Sequence, residues 1–446
     1  MSLTPAMPQK RMSLTAQKAM DFYVDVSQQL IDSEQNTLVK VERLSAQAAL
    51  VHRGWPTRRD EAWQYTPVNS FLQHEFSPKG VSELDMAKLQ AYLPEHDVIR
   101  LVFVDGHFDD SLSDSLSDLP KGLMIETTAD VIALADQPRQ LEINTDKMAQ
   151  EPFALLNTML YQDGINIEVE AGAMIELPVH LVHVQTVANH ASVLRHRVVL
   201  QKNSALTLVE HAISLDDELV QMTNHLTELV VGENANLKQV VVQDLNLQSF
   251  YFGHQWIEQA AKSVFETLYL GLGGQVARHQ NALDMAGEHG FSQQNSVCFV
   301  QQSQIQDSRT DTQHLVPNCQ SQQLHKYVLK DKARGVFNGM IKVAKDAQKT
   351  DGQMDNKNLV LSNEAKMDTK PQLEIYADDV KCSHGSATGQ LDEDQVFYLQ
   401  ARGIRKPQAI QLITEAFLLE PLEVVSNPKL ANWLQSLVQQ RINHLA

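Results

Sequence analysis

The chain has 446 residues, 43% hydrophobic and 21% charged, an ordinary globular composition long enough for two or three domains or one elongated body. Its formal net charge of -18 argues against nucleic-acid or anionic-membrane partners, which need clustered positive charge. No apolar run approaches the ~18 residues of a membrane-crossing helix. Met1 to Met12 carry basic residues without an apolar stretch behind them, so they read as a mobile tail and not a secretory signal. From Ser13, Ala19, Phe22, Tyr23, Val26 and Leu30 recur at helical spacing. A second helix, Thr37 to His52, carries Leu38, Val41, Leu44, Ala48 and Val51 as its apolar stripe and stops at Gly54. In Arg58-Arg-Asp-Glu-Ala-Trp-Gln-Tyr-Thr, Trp63 and Tyr65 are expected to anchor these helices on the body. Residues 81–150 mix short patterns, with Ile99-Arg-Leu-Val-Phe-Val the clearest strand and Ser111-Leu-Ser-Asp-Ser-Leu-Ser-Asp a solvated loop.

From Gly164 a unit recurs: an apolar residue, two variable residues, a turn residue, a small residue, one more variable position and an apolar or small residue. It appears as Val169-Glu-Ala-Gly-Ala-Met-Ile, Leu200-Gln-Lys-Asn-Ser-Ala-Leu, Val231-Gly-Glu-Asn-Ala-Asn-Leu and Leu270-Gly-Leu-Gly-Gly-Gln-Val, with weaker copies from Met285 and Leu329. Gly172, Asn203 and Asn234 fall at equal intervals; Gly273 and Lys332 follow less regularly. Strand, turn, strand and return is the unit of a β-solenoid, whose coils bury their inward side chains on one another. A sandwich is the runner-up, and the scarcity of helix patterns disfavours a βαβ sheet. The expected fold class is therefore mainly β, with helical regions at both ends: 1–150 helical and mixed, 151–390 the solenoid, 391–446 helical.

The three cysteines, Cys298, Cys319 and Cys382, are widely spaced and include no C-x-x-C. That disfavours a disulfide framework and a self-contained zinc or ferredoxin site, and it suits a reducing cytoplasm. Cys298 and Cys319 read as small buried apolar residues. Of 17 histidines, His180, His183, His190 and His196 crowd one region and His279, His289, His314 and His325 form a looser set. Ala188-Asn189 should break the strand that would align the first set, so most are expected to be hydrogen-bonded coil or surface residues. Gly271-Leu-Gly-Gly lacks the G-K-[ST] of a phosphate loop, and no hydrolase motif occurs, so ATP would belong to a partner.

Toward the end, Leu373-Glu-Ile-Tyr alternates as a strand, and Lys381-Cys-Ser-His-Gly-Ser-Ala-Thr-Gly reads as a tight connection. Asp392 to Gln400 is a helix with acids in its first turn. Cys382 and His384 thus stand at a strand-to-helix junction, a thiol and an imidazole two residues apart, both ligand types for a soft or borderline metal. On residue type alone, a buried thiol and a turn-capping histidine remain the plainer reading. Pro407 to Leu419 places Ile410, Ile413 and Phe417 on one side of a helix. Asn427-Pro428 caps a last helix whose stripe (Leu430, Trp433, Leu434, Leu437, Val438, Arg441) suits docking on the solenoid end or on a partner.

The run Asp378-Asp-Val-Lys-Cys-Ser-His-Gly, followed by Leu391-Asp-Glu-Asp-Gln-Val-Phe-Tyr-Leu-Gln-Ala-Arg-Gly-Ile, closely resembles the SufD branch of the SufB/SufD family, scaffold subunits of the Suf iron–sulfur cluster assembly system. The likeness runs from about Arg58 to about Leu419, and the Asp60-Glu-Ala-Trp-Gln-Tyr-Thr block belongs to it. Ser383 and Gly385 beside His384 favour SufD over SufB. The resemblance implies a right-handed parallel β-helix that pairs with a SufB-like β-helix, with His384, aided by Cys382, at the interface where iron or a nascent cluster is held. It also implies a SufC-like ATPase on 391–446, where Ile410, Ile413 and Phe417 are candidates for docking. ATP-driven dimerisation of the ATPase would shift the two β-helices and open that interface. The chain itself would be no enzyme, have no catalytic residues and hold no cofactor stably alone; whether it homodimerises alone stays open. The alternatives are a SufB-type scaffold, disfavoured by the three cysteines, and a β-helix enzyme acting on polysaccharide, for which no aligned acidic set can be assembled.

Overall fold

The computed structural model describes residues 12–80, 84–133 and 151–443. The expected tail at 1–12 lies almost wholly outside the described residues, as does the part of the mixed segment from 134 to 150. The helices are α1 (Leu14–Ser33), α2 (Thr37–Arg53), α3 (Met86–Leu89), α4 (Thr128–Ala133), α5 (Pro152–Leu160), α6 (Glu393–Gln400), α7 (Lys406–Leu419) and α8 (Pro428–Ile442). Before the solenoid come β1 (Ile99–Val104), β2 (His107–Asp109) and β3 (Leu123–Thr127). Its strands are β4 (Ile165–Val169), β5 (Val179–Gln185), β6 (Ala191–Leu200), β7 (Ala205–Ser214), β8 (Met222–Val231), β9 (Asn236–Asp244), β10 (Phe250–Gln259) and β11 (Val264–Gly271). They continue through β12 (Val276–Met285), β13 (Phe291–Val300), β14 (Ile305–His314), β15 (Gln320–Leu329), β16 (Arg334–Val343), β17 (Asp351–Val360), β18 (Lys366–Ile375) and β19 (Lys381–Gly389).

From β4 the strands alternate between two parallel sheets, even numbers in one and odd in the other, so each coil contributes two strands and the described residues make about 8 turns. This is the β-solenoid expected from the repeats. β1 extends the odd sheet beside β5, and β3 pairs antiparallel with β4 at the start of the even sheet.

Two columns of corners explain the uneven repeat spacing. Gly172, Asn203, Asn234 and Lys262 all adopt positive φ at the corner leading into an odd strand. Their amides bond the next coil down: Gly172 N–H to Lys202 O, Asn203 to Glu233 O, Asn234 to Ala261 O and Lys262 to Glu288 O, each at 2.8–2.9 Å. The Asn234 side-chain Nδ2 also donates to Asn203 Oδ1 at 2.8 Å. Gly273 and Lys332 belong to the opposite corner, where Gly274 and Asp331 take the positive φ. Gly273 is there for close approach: a Cβ would meet Leu245 O at 1.7 Å. The Gly-rich run is thus a corner, with no helix after it.

The helical ends cover the outer faces. α1, α2 and α5 build an aromatic core of Tyr23, Trp55, Trp63, Phe71, Phe76 and Phe153 against Met222, Phe250 and Phe252 of the even sheet. The α2 stripe expected from the sequence points the wrong way. Leu38, Val41 and Leu44 are exposed, while Val39, Arg43, Ala46 and Leu50 are buried. Arg43 decides this orientation: its guanidinium donates to the carbonyls of Met159 (3.3 Å) and Tyr161 (2.8 Å) at the C-terminal end of α5, where a cation is favoured. α8 lies on the outer face of the odd sheet and not on the solenoid end, burying Leu430, Leu434, Leu437, Val438 and Ile442 against Val240, Leu268 and Val297. Among the described residues no helix is long and apolar enough to cross a membrane.

The interior is mixed along its length. Leu, Ile and Val dominate one cluster that runs from β1 to β12. In the middle Glu210 accepts from Thr227 (2.9 Å) and Gln239 (2.7 Å), and Gln239 also donates to Gln255 (2.9 Å). Burial raises the Glu210 carboxyl above the usual range and these bonds counter it. The last coils return to Tyr327, Phe337, Ile341 and Met354.

Candidate functional site: the open last coil

Lys381–Gly389 is not a connection but the nine-residue final strand, β19, paired parallel with β17 so that Cys382 lies beside Gly352 and His384 beside Met354. Its small polar composition misled the sequence reading. An edge strand open to solvent needs no large apolar side chains, and the ladder to β17 supplies the pairing that β-propensity does not. Asp392 does cap the following helix, accepting from Asp394 N–H at 2.9 Å.

Strand alternation puts Cys382, His384 and Ser386 on one face, the face on which the neighbouring Met354 is buried. Across the coil, β18 presents Met367, Thr369, Pro371 and Leu373, in register with Gly335, Phe337, Gly339 and Ile341. The Thr369 and Ser386 hydroxyls lie 3.1 Å apart and bridge the two strands. The end of the solenoid is therefore a mouth with an apolar floor and a polar rim. His384 is exposed in it and Cys382 is half-buried. The Cys382 sulfur packs over Gly352, 3.5 Å from where a Cβ would stand. Its thiol is raised, chiefly by burial and further by Asp351, against a hydrogen bond from Gly352 that lowers it. Such a thiol stays protonated at neutral pH until a metal displaces the proton. An imidazole and a latent thiolate on one face of an open coil can offer an incomplete ligand set that a facing surface completes.

Sequence reasoning missed Met367, Thr369 and Ser386 as parts of this mouth. Alternation counted from Cys382 would have found Ser386; the β18 residues needed the register. The other candidates are scattered. Cys298 and Cys319 are free and fully buried, with burial pushing the Cys298 thiol up to about 12. Ile410 and Ile413 are half-buried on α7, and Phe417 packs inward, with the Lys326 ammonium 4.5 Å from its ring centre. The exposed apolar groups of this region are Phe397, Tyr398 and Leu412. Trp63 is buried and Tyr65 lies under Arg334, so the anchoring expected of both is what the fold uses. The histidines depart furthest from expectation. His180, His183, His190, His196, His279, His314 and His325 are buried strand or corner residues, not surface ones, and only His289 of the two sets is exposed.

Among the described residues, a two-sheet parallel β-solenoid with helices over both outer faces thus ends in an uncapped coil that offers an open edge. The sequence matches two family models, the SufBD protein N-terminal region over residues 14–181 and the SufBD core domain of the SUF system for FeS cluster assembly over residues 183–417. The iron–sulfur cluster assembly protein SufD of Escherichia coli is 35% identical over 88% of this chain and 90% of its own length. A SufBD family protein of Synechocystis is 29% identical over 93% of each chain, and the chloroplastic protein ABCI7 of Arabidopsis thaliana is 28% identical over 86% of this chain and 82% of its own. The chain belongs to the SufB/SufD family, on its SufD side.

Proposed function

We propose that this chain is a scaffold subunit for iron–sulfur cluster assembly that changes no bond itself. The carrying observation is the 35% identity to E. coli SufD over nearly the whole of both chains, with His384 standing in the solenoid's open last coil. In this reading the last coil pairs with a SufB-like subunit, and iron or a nascent cluster, as cargo, is held between them by His384 with help from Cys382. The region 391–446 takes a SufC-like ATPase. The exposed Phe397, Tyr398 and Leu412 are better placed for that contact than Phe417, which the fold already uses. ATP-driven dimerisation of that partner would shift the paired solenoids and open the interface. Histidine in place of a cysteine ligand suits a site that must release its cluster.

The test is co-expression with SufB- and SufC-like partners, comparing wild type with His384→Ala for complex formation and for anaerobic iron and sulfide content. The expected outcome is an intact complex whose cluster content falls by about tenfold or more, the scale of losing one group from a ligand set. Normal cluster content in the mutant complex would make His384 structural. The pure chain alone should hydrolyse no ATP.

A further inference from the structure

Three imidazoles converge inside the first coils. His183 comes from β5 in the odd sheet, His196 from β6 and His225 from β8 in the even sheet. In the β6–β8 register His225 pairs with Leu194, two residues from His196, so the two histidines are diagonal neighbours on one inward face. His183 faces them from the other sheet. One ring nitrogen of each lies within 4.8 Å of those of the other two. The ring centres are 4.4 Å (His183–His225), 5.1 Å (His183–His196) and 6.0 Å (His196–His225) apart.

All three side chains are no more than 3% exposed, so their polar atoms need partners. Neither nitrogen of His183 has one, nor has Nε2 of His196. Burial, with the other imidazoles adding to it for His183 and His225, holds the rings neutral: His183 and His225 fall well below 6.5 and His196 to about 3. Neutral imidazole is the form that ligates metal. Core packing alone would be served by leucine or phenylalanine without the cost of orphaned ring nitrogens.

We propose that His183, His196 and His225 form an internal site for one divalent first-row transition ion of the imidazole-binding class, such as zinc. Three nitrogen donors with no thiolate or carboxylate in the set suit such an ion and not magnesium or calcium. A 4.8 Å spread is wider than ligands at Zn–N ~2.0–2.1 Å would show, so the rings draw inward on binding. Nδ1 of His196 accepts the Ile165 amide at 3.2 Å, and ligation by this ring exchanges that bond for the ion. The Ser192 hydroxyl, 3.3 Å from Nε2 of His225, orients that ring. The ion would clamp the two sheets together where the solenoid begins. His384 lies at the opposite end of the odd sheet, with each intervening strand adding about 4.8 Å, so the two sites are distinct. Sealed from solvent, the internal site would load as the coil closes during folding.

The test uses the full-length chain carrying His384→Ala, which removes the histidine of the open coil. The protein is stripped with chelator in denaturant, refolded with zinc and desalted, and its metal is counted. The expected result is about one zinc per chain, falling about tenfold or more with His183→Asn or His225→Asn and unchanged with His289→Ala at an exposed histidine. Zinc-edge X-ray absorption of the parent should show three imidazole ligands. That measurement stands alone if the core variants do not fold. No retained zinc, retention unaffected by both core variants, or an oxygen-only shell would each overturn the proposal. Because His384 is absent throughout, none of these outcomes bears on the scaffold reading.

Discussion

Arg278 and Asp307 fasten the front of the chain to the solenoid. The Arg278 guanidinium lies 3.8 Å over the Trp63 ring, donates to Asp307 at 2.6 Å and to the Ala62 carbonyl at 2.8 Å, and is wholly buried. Thr66 donates to the same carboxylate at 2.6 Å, and Arg309 reaches Ala62 O at 2.7 Å. Removing the carboxylate would leave a buried cation with a carbonyl, a ring and the more distant Glu151, 3.7 Å away. Asp307→Ala should therefore cost ~3–5 kcal/mol in urea unfolding, and Thr66→Val, which removes one hydroxyl donor, only ~1 kcal/mol. Equal small losses for both would mean that the pair carries little of the docking. Trp63 as an anchor was legible in the sequence because a Trp in a polar segment has few other uses. Its partners were not, since Arg278 and Ala62 are 216 residues apart and nothing local marks a buried arginine.

β18 and β19 show what a strand looks like when only one of its sides is finished. The amide of Lys366 bonds Ala333 O and that of Lys381 bonds Thr350 O, which fixes the alternation of each edge strand. On β18 the even-numbered amides face β16, and Pro371 falls on the free side, where its missing N–H costs the ladder nothing. On β19 the odd-numbered amides face β17 and those of Cys382, His384, Ser386 and Thr388 face outward. If a SufB-like subunit adds to this edge, Ser386→Pro should abolish co-purification of the two while changing the free chain's stability by no more than ~1 kcal/mol. Ser383→Pro, which removes an amide facing β17, should instead destabilise the free chain by ~3 kcal/mol, the scale of proline's cost where an amide is already bonded. Unchanged co-purification with Ser386→Pro would remove edge pairing from the assembly model. The sequence showed the helix after Asp392 clearly and hid the strand before it. Caps are local signals, whereas an open edge strand is defined by what lies beside it.

At the scale of the molecule, the repeats announced the coil because stacked corners demand left-handed residues at the same place in each turn, as Gly172, Asn203 and Asn234 supply. What they hid was the interior. Inward positions such as Glu210, Gln239 and His225 are polar, so hydrophobic alternation fails just where the strand is most buried. The buried histidines, inside the coil and under the helices alike, carry a consequence for acid stability. Burial lowers His196, His254, His279 and His325 from 6.5 to about 3, and His211 and His314 to about 4. In the unfolded chain these rings titrate near 6.5, so below that pH the unfolded state binds more protons and stability falls with pH. The contribution is complete above ~6.5 and is lost as pH descends toward 4 and 3. Each ring gives a slope of up to about 1.4 kcal/mol per pH unit, on the order of 8 kcal/mol per unit together, against a total stability of roughly 5–15 kcal/mol. The chain should therefore unfold cooperatively between about pH 5.5 and 4, above the range where carboxylate protonation alone would act. Circular dichroism melts across pH 7.5 to 4 would show the midpoint flat above ~6.5 and falling steeply below it. A midpoint constant down to pH 4 would mean that the buried imidazoles are hydrated or protonated inside the fold.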